Sequence, residues 1–247
     1  MITIKSDEEL ALMRISGAIV GKALREVEAY VKPGVSTLEL NSIVEEIILS
    51  EGAIPSFKNY NGFPAATCIS VDDVVVHGIP SIKVLREGEI VSIDVGAYKN
   101  GFHGDAARTF AVGEISPAKQ KLIDVTKQSF FEGLSRVKIG ARLGDVSHAI
   151  QAYAERFGYG VVREMVGHGI GRRLHEDPSI PNYGKEGTGI VLKKGYALAI
   201  EPMITYGDYR IKFDSDGWTC RTKDGSPSAH YENTVIITDT DVEILTL

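Results

Sequence analysis

Two carboxylates on facing strands are the residues of this sequence best placed to do chemistry. Residues 90–110 contain two β-prone runs joined by Asn100-Gly101, a dipeptide typical of tight hairpin turns. With those residues at the turn, Gly96 lies opposite Asp105, and Asp94 points to the same face of the sheet as Asp105. Two acids on otherwise apolar strands repel each other and resist loss of water. They therefore need a shared proton, basic partners or a metal ion, unless they simply lie on a solvated strand face.

The sequence around this hairpin recurs in the second half of the chain. Residues 85–94 match residues 192–201 at an offset of 107, and residues 31–40 match residues 137–146 at an offset of 106. Two separate matches at nearly one offset indicate a duplicated unit. We therefore expect a single domain built from two similar halves, about 1–115 and 116–247.

The repeat also extends the set of acidic residues. It aligns Asp94 with Glu201, and a weaker echo at another offset aligns His103-Gly-Asp105 with His230-Tyr-Glu232. Two facing halves would bring four carboxylates into one cleft, those of Asp94, Asp105, Glu201 and Glu232. Four carboxylates in one cleft require cations.

Three histidines stand in segments that the sequence predicts to be loops, namely His77, His168 and His175. A lone loop histidine is commonly no more than polar surface. Glycines on both sides of His168 favour a function, because they let the backbone come close to whatever the ring binds. An oxygen-rich set with one imidazole suits Mn(II), Fe(II) or Co(II), and four acids for one histidine favour two ions with bridging carboxylates.

Composition and charge restrict the class of protein. The net charge of −6 and the pI near 5.6 argue against a nucleic-acid partner. The sequence has no apolar run long enough to span a bilayer and no signal-peptide core near its N-terminus. Cys68 and Cys220 are far apart in sequence and are predicted to be free thiols. We therefore expect a cytoplasmic protein without membrane association.

The apolar periodicity predicts four helices and a set of strands. Ser6 or Asp7 starts the first helix, whose apolar stripe runs from Leu10 to Val31, and Ser36-Thr37-x-Glu39 starts the second. The remaining predicted helices cover 117–137 and 143–157, and the predicted strands cover 67–71, 74–76, 198–201, 209–213 and 231–238. Helices that precede strands in each half indicate an α+β fold with an antiparallel sheet covered by helices.

At these residues the sequence resembles the methionine aminopeptidases of bacterial type I, in the "pita-bread" metallopeptidase superfamily. The resemblance spans essentially the whole chain and is carried by these motifs: His77-Gly-Ile-Pro, Asp94-Val-Gly, Gly104-Asp105, Gly-His168-Gly-Ile-Gly, Ile-Glu201-Pro202 and Tyr-Glu232-Asn-Thr. It implies a pita-bread fold, in which a pseudo-twofold antiparallel sheet is covered by two helix pairs. It also implies removal of N-terminal methionine from nascent polypeptides whose second residue is small. We expect a monomer.

The resemblance assigns roles to these residues. Asp105 and Glu232 would bridge two divalent ions (cobalt, manganese or iron), Asp94 would hold one ion, and His168 with Glu201 would hold the other. A water that bridges the ions would attack the scissile carbonyl, with Glu201 as the general base. His77 and His175 would contact the substrate beside the scissile bond. The methionine pocket would consist of Phe57, Tyr60, Phe63, Cys68, Leu174 and Trp218, and a monovalent cation would lie near Asp72, Val74 and Ser228.

Two other functions are compatible with parts of this pattern. X-Pro peptidases such as aminopeptidase P and prolidase share the fold and the ligands, but they usually carry a large N-terminal domain and further histidines in the cleft. Catalytically inactive pita-bread modules bind partners, but they lose metal ligands, whereas this sequence keeps all five. The aromatic residues assigned to the methionine pocket could also be ordinary core.

Overall fold

Four helices lie in two pairs in the computed structural model, which describes residues 2–247. They are α1 (Asp7–Glu28), α2 (Thr37–Ser50), α3 (Pro117–Leu134) and α4 (Leu143–Glu155). Helix α1 packs on α2, and α3 packs on α4. The predicted starts are confirmed, since Ser6 with Glu9 and Ser36 with Glu39 form capping boxes. Among the residues described, no helix is long and apolar enough to cross a membrane.

The last turns of three helices are shorter than the sequence predicts. Helix α1 ends before Val31, α3 ends at Leu134, and α4 ends at Glu155. Val31 and Val137 follow their helices but still pack against the two main apolar clusters. Apolar spacing therefore continues past the ends of α1 and α3, because the turn that follows each of them also faces the core.

The strands of residues 2–247 form four antiparallel sheets. The first half contributes β1 (Ile54–Pro55), β2 (Thr67–Val71), β3 (Val74–Val76), β4 (Ile90–Lys99) and β5 (Phe102–Ala111). The second half contributes β6 (Gly160–Val161), β7 (Gly167–Gly169), β8 (Glu176–Ile180), β9 (Ala197–Ile200), β10 (Met203–Thr205), β11 (Ile211–Phe213), β12 (Cys220–Thr222), β13 (Ser228–His230), β14 (Asn233–Ile237) and β15 (Val242–Ile244). The two larger sheets have the strand orders β1-β4-β2, with β5 on β4, and β15-β14-β9-β7-β8.

Several of these strands differ from the predicted ones. Residues 67–71 and 74–76 are confirmed as strands, but the other three predicted strands are shorter or shifted, at β9, β11 and β14. The prediction that His168 lies in a loop is wrong, because it occupies the short strand β7 between β8 and β9. Strands of two or three residues carry little periodicity of their own, and partners distant in sequence define them.

The hairpin of β4 and β5 has the predicted register. Gly96 pairs with Asp105, and Asn100 and Gly101 form the turn with positive φ angles of 53° and 88°. Helix α1 packs across both strands. The two carboxylates of this hairpin therefore point to the same face of the sheet.

Equivalent hydrogen bonds recur in the two halves. Gly34 N donates to Leu85 O at 2.9 Å, and Gly140 N donates to Leu192 O at 3.0 Å. Isolated bridges pair Ser36 with Val84 in one half and residues 142 and 191 in the other. These bonds join the segments that the sequence repeat aligns. The α+β class and the pseudo-twofold arrangement of the two halves are confirmed.

Two threonine hydroxyls join the halves at the centre of the molecule. The Thr234 hydroxyl accepts from Asp105 N and donates to Asp105 O, both at 2.9 Å. The Thr109 hydroxyl does the same with His230 N and His230 O, again at 2.9 Å. Between them Glu232 N donates to Ala107 O at 3.0 Å. Strand β5 therefore runs along residues 230–234 in a symmetric arrangement.

Candidate active site

One cavity of about 350 Å³ collects every residue that the sequence assigned to metal, catalysis or methionine binding. Its walls include Phe57, Tyr60, Phe63, Cys68, His77, Asp94, Asp105, His168, Leu174, His175, Glu201, Trp218 and Glu232. The acidic residues lie at the junction of the two halves. The apolar residues line the remainder of the cavity.

The acidic residues are fixed by strands of both larger sheets. Asp94 and Asp105 stand within β4 and β5, Glu201 directly follows β9, and Glu232 directly precedes β14. The Nε2 atom of His168, on β7, lies 3.7 Å from Asp105 Oδ2 and 3.7 Å from Glu201 Oε1. Potential ligand atoms of Asp105, His168 and Glu232 all lie within 4.8 Å of one another.

The acidic cluster lacks internal compensation for its charge. Burial raises the pKa of Asp94 to about 7, and burial with neighbouring carboxylates raises those of Asp105 and Glu232 well above the usual range. Burial also raises the pKa of Glu201. Within residues 2–247, Asp94 Oδ1 and Asp105 Oδ1 are buried without a hydrogen-bond partner. Unpaired, buried carboxylate oxygens that converge on one point fit a site for divalent cations.

The imidazole of His168 is also suited to bind a cation. Burial lowers its pKa to about 3, so the ring is neutral at pH 7. Its Nδ1 lies 2.9 Å from Gly169 O. Since a carbonyl only accepts, Nδ1 carries the proton, and the lone pair of Nε2 faces the carboxylates.

Glycines in β7 and in the turn after it allow close packing against neighbouring segments. A side-chain carbon at Gly169 would collide with Asp177 O, and one at Gly171 would lie 2.6 Å from Lys5 Cε. These glycines allow β7 and the turn after it to pack closely against neighbouring backbone and the N-terminal segment. The expectation that the glycines on both sides of His168 let the backbone come close to the group bound by the ring stays a prediction.

Aromatic and sulfur-containing side chains form the apolar part of the cavity. The rings of Phe63 and Trp218 meet edge to face, with centroids 5.2 Å apart. Phe57, Phe63 and Leu174 are buried and belong to a core cluster that also contains Cys68. They are thus both core residues and cavity walls, which reconciles the two interpretations of these aromatic side chains.

Two further histidines flank the space between the acidic and apolar parts. The His175 ring packs against His168 with centroids 4.3 Å apart, and its Nδ1 lies 2.8 Å from the Tyr60 hydroxyl. His77 follows β3 with a left-handed φ of 59°. Burial lowers the pKa of His77 to about 4 and lowers that of His175 as well. Both rings are therefore neutral at pH 7.

Comparison with known proteins assigns this site to a family. Residues 11–239 match the model of metallopeptidase family M24. The chain belongs to metallopeptidase family M24.

Relatives of this M24 peptidase define its type. A methionine aminopeptidase of Clostridium acetobutylicum is 56% identical, with 100% of this chain and 99% of the relative covered. The crystal structure of methionine aminopeptidase from Rickettsia prowazekii superposes with a TM-score of 0.99 at 44% identity, and both chains are covered in full. Prolidase from Pyrococcus furiosus has a TM-score of 0.81 at 25% identity, with 99% of this chain and 65% of the prolidase covered.

These comparisons confirm the resemblance drawn from the motifs. The M24 peptidase is a metal-dependent hydrolase of the methionyl aminopeptidase type. The likeness to the prolidase extends to the shared fold, but its sequence identity is much lower. The roles of the individual cavity residues stay predictions.

The structure adds residues to the site of the M24 peptidase that the sequence did not indicate. Met165 and Met203 line the cavity, and Glu164 stands at its edge. His230 Nε2 lies 3.5 Å from Glu201 Oε2 and 3.8 Å from Glu232 Oε2. The only signal for His230 in the sequence was its echo of His103. That alignment is wrong, because the threonine bonds make Asp105 the equivalent of His230.

The predicted monovalent-cation site is partly occupied by internal contacts. Asp72 O accepts from Ser228 N at 2.8 Å, so these two residues do lie together. The Asp72 carboxylate accepts from Lys119 Nζ at 2.6 Å, and the Ser228 hydroxyl donates to Ile204 O. A cation would therefore depend on backbone oxygens of this loop, including that of Val74, rather than on the carboxylate.

Proposed function

We propose that this M24 peptidase removes N-terminal methionine from nascent polypeptides whose second residue is small. The observation that carries the proposal is the layout of one cavity. Buried carboxylates and an imidazole occupy one part, and apolar, sulfur-containing and aromatic side chains occupy the adjoining part. A free amine would be held at the acidic part while an unbranched apolar side chain enters the other.

Two divalent ions would be held by Asp94, Asp105, His168, Glu201 and Glu232. These donors suit cobalt, manganese or iron(II). When bound, the ions supply an activated water as nucleophile and polarise the scissile carbonyl. The unpaired oxygens of Asp94 and Asp105 support this assignment.

The protein residues would orient the substrate and move its protons. Glu201, beside His168, would take a proton from the attacking water and deliver it to the leaving amine. His77 would contact the scissile nitrogen. His175 would donate to the carbonyl oxygen, and the Tyr60 hydroxyl fixes the orientation of its ring.

The second residue of the substrate would be selected by crowding. It must lie beneath His77 and His175, next to the buried carboxylates. A large side chain there would displace the scissile carbonyl, and a shift of about 1 Å can cost roughly 10²-fold in rate. Small second residues are therefore favoured.

The setting of the reaction is part of the proposal. We place it in the cytoplasm, with a monomeric enzyme acting on nascent chains and with no nucleic-acid partner. Two buried free thiols, Cys68 and Cys220, and the acidic net charge support this setting. A monovalent cation held by the backbone of the loop at Asp72 would be structural.

Cleavage of short peptides tests the proposal. Metal-free protein is loaded anaerobically with cobalt, manganese or iron(II) and is offered Met-Ala, Met-Gly, Met-Lys, Leu-Ala and Ala-Pro peptides. We expect rapid release of methionine before Ala or Gly and slow release before Lys. Leucine should be released about 10- to 200-fold more slowly than methionine, the range within which an apolar pocket separates similar side chains.

The same assay separates the competing functions. Asp105→Asn serves as the control for contaminating peptidases and should be inactive. Faster cleavage of Ala-Pro than of Met-Ala would establish an X-Pro peptidase instead. Failure to cleave any peptide with the metals bound would establish an inactive binding module.

A further inference from the structure

His230 lies inside the acidic cluster although no family ligand was expected at its position. Its side chain is buried, and its Nε2 faces Glu201 Oε2 at 3.5 Å and Glu232 Oε2 at 3.8 Å. Within residues 2–247 this Nε2 has no hydrogen-bond partner. Ligand atoms about 2.1 Å from one ion lie roughly 3 to 4 Å apart, so these separations are those of atoms sharing an ion.

The cluster divides into two similar groups of donors. Asp105, His168 and Glu232 form one group, and Asp94, His230 and Glu232 form the other, each with potential ligand atoms within 4.8 Å. Glu201 spans both groups, because its Oε1 faces His168 and its Oε2 faces His230. Each group contains two carboxylates and one imidazole.

The pseudo-twofold arrangement provides independent support. Thr234 holds the backbone of Asp105 by the same pair of bonds with which Thr109 holds the backbone of His230. His230 therefore occupies, in the second half, the position that Asp105 occupies in the first. A residue at the symmetric position of a predicted bridging ligand is aimed at the same centre.

We propose that His230 is a sixth metal ligand, which gives a nitrogen donor to the ion held by Asp94. According to the sequence resemblance, the ion held by Asp94 would have only carboxylate oxygens as its protein ligands. The unpartnered Nε2 of His230 would supply the nitrogen donor from within the group formed by Asp94, His230 and Glu232. Two sites with one imidazole each would both favour borderline ions over magnesium or calcium. The inference rests on the proposed pair of ions but not on the proposed substrate.

A count of coordinated imidazoles in the cobalt-loaded protein tests the proposal. Each imidazole bound to paramagnetic Co(II) shifts its own exchangeable N–H proton far outside the normal NMR range, and the signal disappears in D₂O. We expect two such signals in the wild-type protein and one in His230→Ala. His103→Ala is the matched control and should keep two, because His103 Nδ1 lies 2.9 Å from the Ser56 hydroxyl in a different cavity.

Calorimetric titration with Co(II) provides a second measurement. In His230→Ala one ion should bind at least about 100-fold more weakly, beyond what loss of an outer-shell partner usually costs. His230→Gln keeps the approximate shape of the side chain and replaces the alanine variant if the latter does not fold. A single imidazole signal in the wild-type protein would overturn the proposal. Uptake of only one ion would instead count against the proposed pair of ions.

Discussion

At the scale of a single residue, Asp105 shows how the site lowers the stability of the folded protein. Its carboxyl is buried, and burial followed by the charge of Asp94 raises its pKa. A carboxyl with a raised pKa keeps its proton in the folded state at a pH where the unfolded chain has lost it. The folded state then loses relative stability as the pH rises.

We predict that the metal-free protein loses stability as the pH rises from 6.5 to about 8. Between about 4 and 6.5 the buried histidines oppose this trend, because their lowered pKa values make stability increase with pH. Above their ordinary value of 6.5 the histidines are mostly neutral in both states, and the carboxyls dominate the titration of the folded protein. Thermal unfolding across this pH range measures the slope.

Asp105→Asn is the variant that isolates this effect. It should reduce the slope in the metal-free protein and raise its stability near pH 8, while metal binding and activity are both lost. An unchanged slope in Asp105→Asn, or normal metal content with full activity, would contradict the role given to Asp105.

His77 and His175 should affect turnover without affecting metal content. Alanine at either position should lower kcat by about 10²-fold or more, the usual scale for losing a proton-transfer group or an oxyanion donor. Metal analysis should return the wild-type stoichiometry. Tyr60→Phe, which removes only the hydroxyl next to His175, should cause a smaller loss. Loss of metal in a histidine variant would move that residue into the ligand set.

At the residue scale the sequence predicted most of the site but not His230. Motifs at Asp94, His168 and Glu201 are local signals that can be read without a structure. The environment of His230 comes from Thr109 of the opposite half and from two glutamates of its own half. Contacts of that kind depend on how the halves meet, which periodicity does not encode.

At the scale of elements, a buried ion pair fixes the turn that carries Leu174 and His175. Lys5 Nζ donates to Glu176 Oε2 at 2.7 Å, and both side chains are only 4% exposed. Arg173 N donates to Glu176 Oε1 at 3.2 Å. The N-terminal segment is thus tied to the turn that carries His175, which is proposed to contact the substrate.

We predict that Lys5→Met loosens this turn and lowers stability by about 3 to 5 kcal/mol, the usual cost of leaving one partner of a buried pair alone. Amide hydrogen exchange at residues 171–176 should accelerate, and kcat/KM should fall with metal content unchanged. Adding Glu176→Gln should restore part of the stability, because no unpaired charge then remains.

A neighbouring pair provides the matched control for Lys5→Met. Arg172 and Glu9 connect the same turn to α1 at 2.9 Å, but the Arg172 side chain is 65% exposed. Glu9→Gln should therefore change stability by less than about 1 kcal/mol. Equal effects of the buried and exposed substitutions would show that the buried pair has no special role.

The elements differ in how far the sequence determines them. Helix starts and the β4–β5 hairpin were predicted correctly because Ser6, Ser36 and Asn100-Gly101 act within a few residues. The strand β7 was missed because it consists of Gly167, His168 and Gly169 and is defined by β8 and β9. Residues within a few positions set the helix starts and the hairpin turn, whereas strands distant in sequence set the boundaries of β7.

At the scale of the whole molecule, the predicted metal ligands connect the two halves. Asp94 and Asp105 belong to the first half, and His168, Glu201 and Glu232 belong to the second. Each ion would neutralise negative charge contributed by both halves. Without ions, four buried carboxyls destabilise the junction where β5 meets residues 230–234.

Removing the metal should therefore loosen this junction more than the helix pairs. A ligand at 100 times its dissociation constant adds about 2.7 kcal/mol of stability. We expect the melting temperature to fall on chelation, with faster amide exchange at Asp105 and Glu232 than in α2 or α4. Protection changes confined to one half would contradict a shared site.

The left-handed backbone at His77 has a consequence for the stability of the protein. A residue with a side chain in that conformation costs about 1 to 3 kcal/mol, and only glycine adopts it freely. Laboratory selection for heat resistance alone would thus favour glycine at position 77. Such a variant would gain stability by losing a side chain that is proposed to contact the substrate. If the proposed role of His77 is correct, its conformation lowers stability at a position that activity requires.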